Sequence, residues 1–123
     1  MNSKKILLVD DEVDLVETVR FPLEMERYHV LVSYNGEDAL NQARKENPDL
    51  ILLDLMLPKL DGYKVCRLLK FDERYKHIPI FMLTAKTQEK DKVLGMETGA
   101  DEYITKPFEI DYLMEKVKEY LSK

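Results

Sequence analysis

Short apolar runs alternate along this chain with longer stretches whose apolar residues recur at helical spacing. The densest run, Leu50-Ile51-Leu52-Leu53, leads directly into Asp54 and on through Leu55-Met56-Leu57 to Pro58. An apolar run of that length, entered from Pro48-Asp49, predicts a strand covered on both faces. Residues 5–9 predict a similar strand, closed by Asp10-Asp11-Glu12, and 29–33, 79–84 and 101–105 predict three more. Five helical patterns separate and follow them. The first runs from Val13 to about Arg27, with Leu15, Val16, Val19, Leu23 and Met25 at roughly helical spacing. Pro22 falls inside it and predicts a kink or bulge near residues 18–22, because an internal proline removes one hydrogen bond and costs roughly 3 kcal/mol. The others cover 37–46, 63 to about 70, and 87 to about 98, the last ended by Gly99. Ile110, Leu113, Met114, Val117 and Leu121 mark a final amphipathic helix.

Strand and helix thus alternate five times. That pattern predicts an α/β protein: three layers, a doubly wound five-stranded parallel sheet with helices on both faces and right-handed crossovers. Five such units suit the flavodoxin-like strand order 2-1-3-4-5, whose ligand crevice lies at the carboxyl ends of strands 1 and 3. This order is carried over from known doubly wound sheets. At 123 residues the chain is expected to be one domain, 1–123, with no output domain after the last helix.

Parallel strands share their carboxyl edge. Asp10-Asp11, Asp54, Thr84 and the approach to Lys106 therefore meet at one end of the sheet. Neighbouring strands 1 and 3 would crowd three carboxylates together, which raises their pKa values unless a cation intervenes. Hard oxygen ligands suit Mg²⁺, which uses one or two carboxylates and keeps several waters. Thr84 adds a hydroxyl and Lys106 an ammonium. A metal, a hydroxyl and an ammonium around one carboxylate can bind a phosphoryl group, with a carboxylate oxygen as nucleophile.

The pieces Ile6-Leu7-Leu8-Val9-Asp10-Asp11-Glu12, Asn35-Gly36-Glu37-Asp38-Ala39-Leu40, 48–58, Asp61-Gly62, 79–85 and 99–108 carry a family resemblance. Over essentially its whole length it resembles the receiver domain of bacterial two-component response regulators. The resemblance implies that Asp54 is the phosphoacceptor, taking a phosphoryl group from a sensor histidine kinase or a phosphotransfer protein. Asp10 and Asp11 resemble the acidic pair that holds Mg²⁺, for which Mn²⁺ can substitute, with the main-chain carbonyl of Met56 completing the protein ligands. Thr84 and Lys106 would bind phosphoryl oxygens. Thr84 and Tyr103 resemble a switch pair that alters the face formed by the fourth helix, fifth strand and fifth helix, to control a downstream protein. Met56 and Lys86 resemble positions that tune acyl-phosphate lifetime, and Ala85 is small, as access to the phosphate requires. The family's Lys106-Pro107 bond is usually cis. The implied protein is not an enzyme with a separate substrate; it catalyses only its own phosphorylation and dephosphorylation. It would be a monomer, or a phosphorylation-dependent dimer through the switch face. Pro22 departs from the family in a helix that usually helps dock the kinase.

Composition narrows the partners. The formal charge of −5 speaks against direct contact with nucleic acid or an anionic membrane. The single cysteine, Cys66, has no internal disulfide partner, and no apolar run approaches the ~20 residues of a membrane span; a cytoplasmic protein is expected. A flavin carrier of this fold would need a phosphate-cradling loop after strand 1, where Asp10-Asp11-Glu12-Val13-Asp14 stands instead. A phosphatase acting through an aspartyl phosphate would need an acid near Met56 and a substrate-covering insertion. A partner-binding domain without phosphoryl chemistry would not need the full acid, hydroxyl and lysine set. His29 and His77 are expected at the surface, Cys66 packed, and the methionines mostly in the core.

Overall fold

The computed structural model describes residues 3–85 and 99–122. The elements in order are β1 (Lys5–Val9), α1 (Val13–Met25), β2 (His29–Ser33), α2 (Gly36–Glu46), β3 (Leu50–Asp54), α3 (Gly62–Lys70), β4 (Ile80–Ala85), β5 (Glu102–Lys106) and α4 (Ile110–Leu121). The helix expected over 87–98 and the lifetime position Lys86 lie outside the described residues. The five strands form one parallel sheet in the order β2-β1-β3-β4-β5, the expected topology.

Strand alternation sorts the core into two layers. Leu7, Val9, Ile51, Leu53, Ile80 and Met82 face α2 and α3, whose Ala39, Leu40, Ala43, Val65, Cys66 and Leu69 cover them. Ile6, Leu8, Leu50, Leu52, Phe81, Leu83 and Ile104 face the opposite layer, where Val16, Val19 and Leu23 of α1 meet Leu113 and Val117 of α4. Every residue of β3 is buried, as a central parallel strand requires.

Two helix starts are set by side-chain caps. Asn35 accepts from the Asp38 N–H at 2.8 Å, and Asp61 accepts from the Lys64 N–H at 3.0 Å. Gly62 follows Asp61 because of a close approach: a Cβ there would run into the main-chain carbonyl oxygen of Asp54. α1 runs without interruption from Val13 to Met25 through Pro22, so no bulge breaks it. Only one hydrogen bond is removed, and the helix ends three residues later. The methionines divide: Met82 is fully buried, whereas Met25 and Met56 are exposed, which corrects their expected placement in the core. His29 and His77 are exposed, and Cys66 is buried.

One lysine bolts α3 to the start of β5. Lys70 Nζ donates to the carbonyls of Lys76 and Ile78 at 3.0 and 2.9 Å and to Asp101 Oδ2 at 2.9 Å. The same Asp101 oxygen accepts from the Ile80 N–H at 2.8 Å. Lys70→Met keeps the stem but leaves the two carbonyls and the carboxylate short of a donor. We expect it to cost about 2–4 kcal/mol, read as a lowered urea midpoint with an unchanged slope. A midpoint equal to that of the parent would contradict this role.

Candidate functional site

Alternation also explains why the site assembles. Asp10 continues the Ile6, Leu8 face of β1, Asp54 the Leu50, Leu52 face of β3, and Lys106 the Ile104 face of β5. All three leave the sheet at its carboxyl edge on the side covered by α1 and α4. Oxygens of Asp10, Asp11 and Asp54 lie within 4.8 Å of one another. Asp10 is fully buried, Asp54 is 6% exposed, and Asp11 opens to solvent.

Lys106 is the cation that meets them. Its Nζ lies 2.9 Å from Asp10 Oδ2, 3.4 Å from Glu12 Oε1 and 3.5 Å from Asp54 Oδ1. Asp10 Oδ1 also accepts from the Glu12 N–H at 3.0 Å, so the inner carboxylate is well held. Asp54 is held more loosely. Its Oδ1 accepts from the Met56 N–H at 3.4 Å and has Lys106 at a similar separation, both long for a charge-assisted bond.

The electrostatics follow. Burial, with the neighbouring Asp10 charge adding to it, pushes the Asp54 carboxyl up to about 6 against the opposing pull of Lys106. Burial alone would lower the Lys106 ammonium; its hydrogen bond to Asp10 and the fields of Asp54, Asp10 and Glu12 outweigh that and raise it. Among the described residues one ammonium, that of Lys106, thus serves Asp10, Glu12 and Asp54, and Asp11 of the Asp10, Asp11 and Asp54 cluster has no cation beside it. All the candidate donors are hard oxygens, and the cluster fits a small divalent cation.

The Asp54 shift has a signed consequence. Unfolded, the group protonates near its ordinary 3.8; folded, near about 6. The folded state therefore binds the extra proton over that interval, and metal-free stability rises as pH falls through it. The full penalty, up to about 3 kcal/mol, is present above the folded value and is relieved below the unfolded one. We expect the stability difference between Asp54→Asn and the parent, from urea unfolding in chelator, to shrink between pH 7 and pH 4. A difference that is flat with pH would contradict the shift.

Thr84 is buried and paired in register with Thr105, but alternation puts it on the α2–α3 face with Met82. Among the described residues it shares no hydrogen bond with the carboxylates or Lys106. Tyr103 pairs with Met82 and packs half-buried against that same layer, so Thr84 and Tyr103 share a face. Met56 is 74% exposed beside the site. The Lys106–Pro107 bond is cis. Sequence reasoning missed Glu12 as a third anion on Lys106. The adjacent Asp10-Asp11-Glu12 run was the available signal, but read locally it is only an acidic helix start.

Residues 6–118 match the response regulator receiver domain family. The chain is 50% identical over 121 residues to the alkaline phosphatase synthesis transcriptional regulatory protein PhoP of Bacillus subtilis, covering 98% of this chain and 50% of that protein. It therefore spans half the length of this curated relative. Among solved structures, the signal receiver domain of a signal transduction histidine kinase from Syntrophus aciditrophicus superposes with a TM-score of 0.92 at 36% identity, covering 98% of this chain and 91% of that one. The chemotaxis response regulator CheY4 of Vibrio cholerae gives 0.89 at 30% identity, over 98% of this chain and all of that one. The chain belongs to the response regulator receiver domain family, and its class is that of two-component signal transduction. Among the described residues, no helix is long and apolar enough to cross a membrane.

Proposed function

We propose that residues 1–123 act as one receiver unit in the cytoplasm, switched by phosphorylation of Asp54. The observation that carries this reading is the convergence of Asp10, Asp11, Asp54 and Lys106 at one sheet edge, with the least tightly bonded buried carboxylate at its centre. An Asp54 oxygen attacks the phosphorus of a phosphohistidine; the P–N bond breaks, imidazole leaves, and an acyl phosphate remains. With a pKa of about 6 the carboxylate is mostly ionised at pH 7 yet more basic than an exposed aspartate. Asp10, Asp11, Asp54 and the Met56 carbonyl would hold Mg²⁺, or Mn²⁺ in its place. When bound, that ion neutralises charge on the phosphoryl oxygens.

Lys106 then donates to a phosphoryl oxygen. The Thr84 hydroxyl moves toward another, and Tyr103, on the same face, fills the space left behind. The chain's catalysis is of its own phosphorylation and dephosphorylation. A histidine kinase or phosphotransfer protein supplies the phosphoryl group, and a downstream protein reads the changed surface. The −5 charge argues that this domain itself does not grip nucleic acid.

The test is incubation with acetyl phosphate in Mg²⁺ or in chelator, read by intact mass. A gain of one phosphoryl group in Mg²⁺ alone is expected. An equal gain in both, or none in either, would overturn the reading.

A further inference from the structure

A second charged surface lies away from the carboxylates, on the outer side of α2 and α3. Phe71, just past the end of α3, is 70% exposed, and Leu68 is 41% exposed. They share an open cleft with Arg44, Lys64 and Arg67. The Arg67 guanidinium sits 5.8 Å from the centre of the Phe71 ring. At the rim Arg74 is taken by Asp72 at 2.9 Å, and Glu73 by Lys76 at 2.7 Å. Among the described residues, Arg44, Lys64 and Arg67 form no close ion pair, although the Arg44 charge also acts on Asp72.

Helix stability explains only part of this. Arg44 and Arg67 stand in last turns, where a cation offsets the helix dipole. Lys64 stands in the first turn of α3, where the dipole opposes it; the capping Asp61 carboxylate offsets the dipole through the Lys64 N–H but forms no ion pair with the ammonium. Phe71 covers no core. In a chain with 24 acidic and 19 basic residues, a cleft lined by Arg44, Lys64, Arg67 and Arg74 against Asp72 and Glu73 is a local inversion of the overall charge.

We propose that this α2–α3 face docks an acidic protein segment bearing one large apolar side chain. Its carboxylates meet Arg44, Lys64 and Arg67, and its apolar residue covers Phe71 and Leu68, the arrangement of a buried anchor ringed by charge. A nucleic-acid strand fits worse. Asp72 and Glu73 put negative charge along the rim, and three cations neutralise few phosphates.

The test is a titration of the intact, isotope-labelled protein with a pool of short synthetic peptides rich in Asp and Glu around a central Leu, Phe or Trp. Backbone shifts confined to Arg44 and the 64–74 stretch are expected. Affinity should fall about tenfold in Arg67→Glu and in Phe71→Ser, persist in Phe71→Leu, and stay unchanged in Lys118→Glu on α4. Three results would each overturn the proposal: no peptide in the pool shifting these residues, binding undiminished in Arg67→Glu and Phe71→Ser, or a duplex oligonucleotide perturbing the same residues more strongly than the peptides.

Discussion

Asp54→Asn will accept no phosphoryl group from acetyl phosphate in Mg²⁺, and without metal it will be more stable than the parent at pH 7. The two effects have one cause. Among the described residues the parent's buried anion has only long contacts, 3.4 Å to the Met56 N–H and 3.5 Å to Lys106, and burial has already driven its pKa to about 6. An amide of the same shape removes that charge and the nucleophilic oxygen together, while Lys106 keeps Asp10 and Glu12. A gain of about 1–3 kcal/mol in chelator is expected. Intact mass and urea midpoints at pH 7 read both arms. A variant that still gains a Mg²⁺-dependent phosphoryl mass, or that is less stable than the parent, contradicts the account. A residue whose native form destabilises the fold is expected where function sets its identity.

Lys106→Ala has the opposite sign. Asp10 is fully buried, and the one ammonium that meets it among the described residues, at 2.9 Å, is lost. Breaking a buried pair by removing one partner costs about 3–5 kcal/mol, because the remaining charge is left uncompensated. The metal-free variant should unfold at a distinctly lower urea concentration. Its pH dependence should steepen, since Lys106, ahead of the Met56 N–H, is the strongest pull lowering the Asp54 pKa. Mg²⁺ should raise its stability more than it raises that of the parent, because only in the variant is the bound cation the sole counter-charge. Phosphorylated, the variant should leave the Tyr103 resonances where they were, whereas the phosphorylated parent shifts them. An unchanged midpoint in chelator, or a Tyr103 response equal to the parent's, would remove the role given to Lys106.

The sheet was legible because its three central strands are apolar on both faces: Ile6 to Val9, Leu50 to Leu53 and Ile80 to Leu83 each bury four consecutive large residues. The edges were less so. The sequence ends the fourth and fifth strands at Thr84 and Thr105, yet β4 and β5 each run one residue further, through Ala85 and Lys106, which pair in register. Helices α2 and α3 begin one residue earlier than their patterns suggest, at Gly36 and Gly62, because Asn35 and Asp61 cap them. The site's carboxylates were visible from position in sequence once the strands were placed. The partner of Lys106 was not, since Asp10 lies 96 residues away. The Lys70 bolt left no local trace for the same reason. Exposure of Phe71 and Met25 was also illegible, because an apolar residue at a helix end is buried only if a neighbouring element covers it.

The central claim is that one carboxylate, on the third strand, becomes an acyl phosphate. Reduction with borohydride after phosphorylation tests it at the bond itself, since an acyl phosphate on aspartate is reduced to homoserine and a phosphorylated serine, threonine or histidine is not. Peptide sequencing of the reduced protein should find homoserine at position 54, only when Mg²⁺ was present. Homoserine at Asp10 or Asp11, or a phosphoryl group that survives reduction on another residue type, would contradict the account.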